Sequence, residues 1–369
     1  MTIAAAATAL LASTTGTSVA APPPEPVVSI ALPAPTGPSP AGVTEWHLTD
    51  ASRTDPWTGD PREVLAQIWY PATEATGERA PWMPQGGRAE QDDFLTELGV
   101  PAGTWNLAPS HSHTDAPARH SGGIPVLLNS PGMGDATGWS TAQAEDLASH
   151  GYAVVALNHT HEAFSIRFPD GRTAETRVAD TRFVLDQLSA AAAGQHDGAA
   201  LPAGLARNLD LSRVAMFGHS LGGSTTIGAL QADPRIRAGV NLDGPVLGPA
   251  AETGIAQPLL MLAGEFSPWF GRPGWEPYWH ADTGIELPLR VLGSEHMSFC
   301  DQQLILARLA EAGLLAGAVR QKAVGGIDAD RSIELQRTYL RTWFDAVFGR
   351  GDLATTITGL ARPEVVPYP

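Results

Sequence analysis

Ser220 is flanked by glycine two residues away on either side, in Gly218-His-Ser-Leu-Gly-Gly223. That spacing suits a sharp strand-to-helix turn, where backbone atoms crowd, only small residues fit, and the serine hydroxyl is raised above the end of a strand. The flanks agree. Arg213-Val-Ala-Met-Phe217 is a short apolar run and Ser224 to Gln231 suits a helix, so the positive end of a helix would lie beneath the serine. The same pattern also arises as an ordinary turn in glycine-rich chains; its flanks single this one out. A serine hydroxyl attacks poorly until an imidazole takes its proton, and the imidazole needs a carboxylate to hold its tautomer and stabilise its charged form. His296, in Gly293-Ser-Glu-His-Met-Ser-Phe299, is the leading base, with His280 in an aromatic loop second. Asp243, ending Gly239-Val-Asn-Leu-Asp243, and Glu265, ending Met261-Leu-Ala-Gly-Glu265, are both candidate acids.

Charge that develops on a carbonyl oxygen during attack must also be met. The loop Ser130-Pro-Gly-Met-Gly134 follows an apolar strand-like run, and the backbone N–H groups of Met133 and Leu221 are the expected oxyanion donors. Pro131 has no N–H to give. Other histidines invite a metal reading: His159-Thr-His161-Glu162, and the group His111, His113 and His120. No H-E-x-x-H or cysteine-histidine spacing supports it, so neither a metal nor another cofactor is expected. His159, at a strand end, is expected to shape the pocket rim. The segment Ser267 to Trp279 carries Trp269, Phe270, Trp275 and Trp279 among prolines and glycines. These aromatics could line an acyl pocket or touch a lipid or polymer surface, or they could form a satellite core under a long loop. Cys300 reads as a buried apolar residue.

These groups need a scaffold that brings strand ends to one rim. From Ile124 the chain alternates apolar strand and amphipathic helix: Ile124 to Asn129, Thr141 to His150, Tyr152 to Asn158, Thr176 to Ala191, the elbow strand, Ala238 to Leu242, Pro258 to Ala263 and Leu287 to Leu292. This is the pattern of an α/β fold, a mostly parallel central sheet with helices on both faces. Arg62 to Tyr70 reads as a further strand, Ala89 to Leu98 as a short helix, and Ser332 to Phe348 as an amphipathic helix packed on the sheet. Serine, acid and histidine then fall in the chain order of α/β-hydrolases.

The chain has 369 residues, one cysteine and a formal net charge of −16. One cysteine excludes an intrachain disulfide, and the acidic balance argues against nucleic acid or an anionic membrane as partner. Residues 1–21 resemble a secretory signal, with an apolar run from Ile3 to Ala12 and Ser18-Val-Ala-Ala21 as an A-x-A-like cleavage site, which implies an extracellular protein. No Lys or Arg precedes that run, a departure from such signals. The run is too short to span a bilayer as a helix, and no other long uncharged apolar stretch suits an integral membrane segment. Residues 22–42, rich in proline, are expected to be a disordered linker, 43–350 a single catalytic domain, and 351–369 a C-terminal tail.

The elements Trp69-Tyr-Pro-Ala72, Ser130-Pro-Gly-Met-Gly134, Asp146-Leu-Ala-Ser-His-Gly-Tyr152, Gly218-His-Ser-Leu-Gly-Gly223, Asn241-Leu-Asp-Gly244, Gly264-Glu-Phe266 and Glu295-His-Met-Ser-Phe299 resemble the plasma-type platelet-activating-factor acetylhydrolase family and its bacterial α/β-hydrolase relatives. The resemblance runs from about Thr49 to Phe348. It implies Asp243 as the acid, because the family's acid follows the next strand after the elbow in a Leu-Asp context. Bacterial polyester hydrolases and cutinase-like lipases take an acid one strand later, where this chain has Glu265. The family's oxyanion loop more often begins with His-Gly, so Ser130-Pro131 departs from its pattern. The activity implied is a secreted carboxylic-ester hydrolase acting on a short-acyl or lipid-like ester, with Ser220, His296 and Asp243 as its triad. A lipase or polyester hydrolase, an acyltransferase and a catalytically silent binding protein are the alternatives. In every catalytic version, activity should fall on acidification, since a protonated His296 cannot accept the serine proton.

Overall fold

The structure is a computed structural model that describes residues 27–119, 122–135, 137–162, 171–195, 201–267, 275, 278, 286–351 and 359–368. Its strands are β1 (Val28–Ile30), β2 (Ala41–Thr54), β3 (Pro61–Pro71), β4 (Trp105–Leu107), β5 (His113–Thr114), β6 (Ile124–Ser130), β7 (Ala153–Asn158), β8 (Leu209–His219), β9 (Ile236–Leu242), β10 (Leu259–Gly264), β11 (Glu286–Val291) and β12 (Val365–Pro367). The helices are α1 (Gln85–Glu97), α2 (Thr141–Ser149), α3 (Gly171–Ala192), α4 (Leu205–Asn208), α5 (Leu221–Ala232), α6 (Ala250–Thr253), α7 (Gln302–Glu311), α8 (Gly317–Val324) and α9 (Ala329–Val347).

Among the described residues, ten strands form one sheet in the order β12-β11-β10-β9-β8-β6-β7-β3-β2-β5. The centre from β11 to β7 is parallel, while β3 runs antiparallel to both its neighbours and β12 antiparallel to β11. The parallel strands are apolar on both faces because helices cover both. Val126 and Leu128 of β6, with Val214 and Met216 of β8, face Leu185 and Leu188 of α3 and Ile227 and Leu230 of α5. Leu127, Ala215 and Phe217, one residue out of phase, face Leu147 of α2 and Tyr339, Trp343 and Phe344 of α9. This is the expected α/β-hydrolase architecture.

Sheet order reverses between β6 and β8: the chain leaves β6 for β7 on one side, then returns past it to β8 on the other. Such a switch point opens a crevice at the carboxyl ends of the strands. Parallel register brings those ends level, with Ser130 opposite Gly218, His219 opposite Leu242, Leu242 opposite Leu262, and Gly264 opposite Val291. The residues that follow each strand therefore share one rim.

Two expected boundaries are corrected. From Val28 onward the proline-rich segment is not a linker but part of the fold: β1 pairs with β4, and Ile30 and Leu32 are buried with Trp82, Leu95, Trp105 and Leu304. Arg337 donates to the carbonyls of Pro33 and Ala34, and Asp146 accepts from the Thr36 amide. A proline-rich chain keeps its carbonyl acceptors, and a nearly buried arginine fits them. The described part of the C-terminal segment is not a loose tail either, since Leu360 is buried and β12 extends the sheet. The expected signal at 1–21 lies outside the described residues.

Candidate active site

β8 ends at His219 and α5 begins at Leu221, so Ser220 alone makes the turn, with φ 55° and ψ −123°. A non-glycine residue at positive φ is strained, and such strain collects at functional sites. The turn demands its glycines: a Cβ on Gly218 would strike the Gly222 carbonyl, and one on Gly222 would strike the carbonyl of Ser130. The end of β6 thus lies directly against the start of α5. The Ser220 amide donates to Leu242 O at 2.9 Å, tying the turn to β9.

Asp243 follows β9, also at positive φ (51°), and is fully buried. One carboxylate oxygen accepts the Gly264 amide at 2.9 Å, and the other lies 2.6 Å from His296 Nδ1. His296 opens a short 3-10 turn whose preceding residue, Glu295, closes a capping box with Ser298. Its Nε2 lies 2.9 Å from Ser220 Oγ. With Asp243 taking the Nδ1 proton as acceptor, Nε2 is left to accept the serine hydroxyl. Ser220, His296 and Asp243 are therefore brought into one hydrogen-bonded chain. Glu265 is not part of it: its Oε2 accepts the Gly293 amide at 2.6 Å and braces the loop that carries His296.

His219 was not anticipated from the sequence. Its ring lies against that of His296, centroids 4.7 Å apart and planes tilted by 39°. Its two nitrogens face acceptors, Asp135 Oδ2 at 3.2 Å and the His296 carbonyl at 2.9 Å, so only the doubly protonated ring satisfies both. Burial works against that charge, but the Asp135 carboxylate, helped by Asp243 and the His296 carbonyl, holds its pKa above the usual histidine value.

The 130–135 loop runs beside the elbow. Asp135 Oδ2 also accepts the Gly132 amide at 2.7 Å. Leu221 supplies the first amide of α5, which has no partner within its own helix. A polar cavity of about 230 Å³ borders the loop, lined among others by Gly132, Gly134, Asp135, Glu162 and Arg177. His159 reaches it but is an internal strut rather than a rim residue: its side chain is 1% exposed and hydrogen-bonds Ser130 and Asp180. Trp275 is likewise no exposed pocket wall. It is buried in the sheet core and its Nε1 donates to Gly244 O at 3.1 Å, since a tryptophan can bury its apolar body only where its N–H finds an acceptor. Trp269, Phe270, Trp279, His280 and His120 lie outside the described residues. His111 pairs with Glu145, His113 with the Gly77 carbonyl, and His161 with Asp55. Among the described residues no helix is long and apolar enough to cross a membrane.

Residues 172–336 match the family model for platelet-activating factor acetylhydrolase, isoform II. A protein of Arthroderma benhamiae described as a "probable 1-alkyl-2-acetylglycerophosphocholine esterase" is 27% identical across 92% of this chain and 93% of its own. The platelet-activating factor acetylhydrolase of Cavia porcellus is 27% identical across 54% of this chain and 55% of its own. Among solved structures, a ferulic acid esterase from Streptomyces cinnamoneus superposes with a TM-score of 0.73 at 29% identity, covering 92% of this chain and 99% of that one. The curated relatives are named as an esterase and an acetylhydrolase and the solved structure as an esterase, and the chain is accordingly a carboxylic-ester hydrolase of the α/β-hydrolase fold, related to the platelet-activating factor acetylhydrolases.

Proposed function

We propose that this is a secreted serine esterase, similar in action to the platelet-activating factor acetylhydrolases, that cleaves short-acyl or lipid-like esters through Ser220, His296 and Asp243. The observation that carries the reading is the continuous chain from Ser220 Oγ to His296 to Asp243, at 2.9 and 2.6 Å, on the carboxyl rim of the sheet. Ser220 Oγ attacks the ester carbonyl as its proton passes to His296 Nε2, and Asp243 stabilises the imidazolium. The oxyanion so formed is met by the N–H groups of Met133 and Leu221, each contributing about 2.7 to 4 kcal/mol in such sites. Collapse expels the alcohol, which takes the proton from His296 and leaves an acyl-enzyme on Ser220. Water, deprotonated by the same ring, attacks next and frees the acid. Secretion is supported by the signal-like character of residues 1–21.

A second reading, an ester of an aromatic acid, is supported by the likeness to the ferulic acid esterase. Chromogenic esters from acetyl to long acyl, with methyl ferulate beside them, separate the two when assayed on wild type and Ser220→Ala. A short-acyl optimum lost in Ser220→Ala is the expected result. A long-chain optimum would move the function to lipase, a ferulate optimum to the second reading, and full activity in Ser220→Ala would refute the mechanism.

A further inference from the structure

Behind the oxyanion loop lies a buried group of charges that the proposed reaction does not use. Arg177, on α3, is 2% exposed. Its Nη1 donates to the Pro131 carbonyl at 2.6 Å and its Nη2 to the Gly132 carbonyl at 2.9 Å. Glu162 accepts from Nε at 2.7 Å and from Nη2 at 2.9 Å, so the guanidinium is held in a fork that fixes its plane. Ser130 Oγ, at the end of β6, lies 3.4 Å from Nη1 and 3.0 Å from His159 Nε2, and His159 Nδ1 lies 3.0 Å from Asp180 Oδ2. Burial and the nearby Arg177 lower the pKa of His159. The ring is then neutral, donates to Asp180 and accepts the Ser130 hydroxyl. Asp180 is in turn held by two hydrogen bonds from Arg62.

The consequence lies in peptide geometry. In a trans peptide the C=O of one residue and the N–H of the next point in opposite directions. Two successive carbonyls aimed at Arg177 therefore turn two successive N–H groups, those of Gly132 and Met133, to the other side. The Gly132 N–H reaches Asp135, which also holds His219, the residue before Ser220. The Met133 N–H is thus directed to the elbow side of the loop, and consecutive N–H groups turned the same way form a concavity that suits an anion.

We infer that Arg177 is a positioning residue for ester hydrolysis: by holding the Pro131 and Gly132 carbonyls it aims the Met133 N–H at the developing oxyanion, with Glu162 and Ser130–His159–Asp180 as its support. The inference rests on the proposed role of the Met133 amide. Its test compares wild type, Arg177→Lys, which keeps the charge but loses the fork, and Glu162→Gln, which keeps both carbonyl contacts and loosens the guanidinium. Ser220→Ala is assayed beside them. With an acetyl ester, Arg177→Lys should lower kcat by about 100-fold with KM within about threefold. Affinity for a trifluoromethyl ketone, whose adduct with a serine carries an oxyanion, should fall by a similar factor, and the pH midpoint of kcat should stay in place. Glu162→Gln should lower kcat several-fold with the same split, and it carries the test if Arg177→Lys does not fold. A kcat within threefold of wild type in the folded variant, or a loss of kcat without loss of ketone affinity, would overturn the inference while inactive Ser220→Ala leaves the mechanism standing. Active Ser220→Ala would bring down the mechanism itself.

Discussion

Among the described residues, two chains of serine, histidine and aspartate run through this molecule. In Ser220–His296–Asp243 the ring lies 2.9 Å from the serine and 2.6 Å from the carboxylate; in Ser130–His159–Asp180 both distances are 3.0 Å. Residue types and bonding order are the same. What differs is surroundings. The His296 side chain is 28% exposed and that of His159 1%. Ser220 is half-buried, raised on a strained turn at the head of a helix, while Ser130 is fully buried at a strand end with Arg177 against its oxygen. On the proposed mechanism, a hydrogen-bonded triad is therefore not a catalytic site by itself. It becomes one where a substrate carbonyl can approach and where amides wait for its oxygen; elsewhere it is a means of satisfying buried polar groups.

The histidines separate the two chains most sharply. His296→Gln should lower kcat by about 10⁴-fold or more with little change in stability. His159→Gln should cost kcat no more than about tenfold, yet destabilise by about 1–3 kcal/mol, because it disturbs two buried polar partners. Parallel kinetics and denaturant melts of the two variants would show it, and equal kinetic losses would erase the distinction.

The buried acid gives a smaller, pH-dependent signature. Burial alone would raise the pKa of Asp180, but His159 and Arg62 outweigh it and hold the carboxyl down at about 2. An ordinary aspartate sits near about 3.9. Asp180 therefore stabilises the fold fully above that value, and the contribution is lost as pH falls toward 2. Asp180→Asn should be clearly less stable than wild type at pH 6, with the gap narrowing below pH 4. A gap that does not depend on pH would contradict the ion-pair account.

Asp301 is the opposite case. It accepts from Trp82 Nε1 and the Ala142 amide, but burial outweighs these and the field of Arg337, and its pKa is pushed up to about 7. The native carboxyl keeps its proton where the unfolded one has lost it, so stability should decline as pH rises from about 4 to 7. Asp301→Asn should flatten that decline, measurable as melting temperature against pH. An unchanged slope would assign it to other groups.

How far the sequence led differs between these regions for a physical reason. Local chemistry was legible: glycine spacing around Ser220 reports a tight turn, the runs ending at Asp243 and before His296 report strand ends, and alternation from Ile124 onward reports the sheet. Partners distant along the chain were not. Arg177 and Asp180 sit among unremarkable helix residues, and only the folded chain brings α3 to the residues that follow β6 and β7, giving them Pro131, Gly132 and His159. The segment from Val28 misleads in the same way, and Trp275, which the sequence left open between exposed pocket and buried core, proves buried. Their proline- and glycine-rich context suggests exposed chain, while burial is decided by acceptors and apolar surfaces contributed from elsewhere. The closing strand β12 is three residues long, too short to leave a periodic signal.

Labelling distinguishes the two serines, of which only Ser220 is expected to act as a nucleophile. Wild type, Ser220→Ala and Ser130→Ala are treated with an organophosphonate that captures activated serines, and the modified peptide is identified by mass. Ser220 should carry the label in wild type and in Ser130→Ala, and Ser220→Ala should carry none. A label retained in Ser220→Ala, or found on Ser130, would contradict that role.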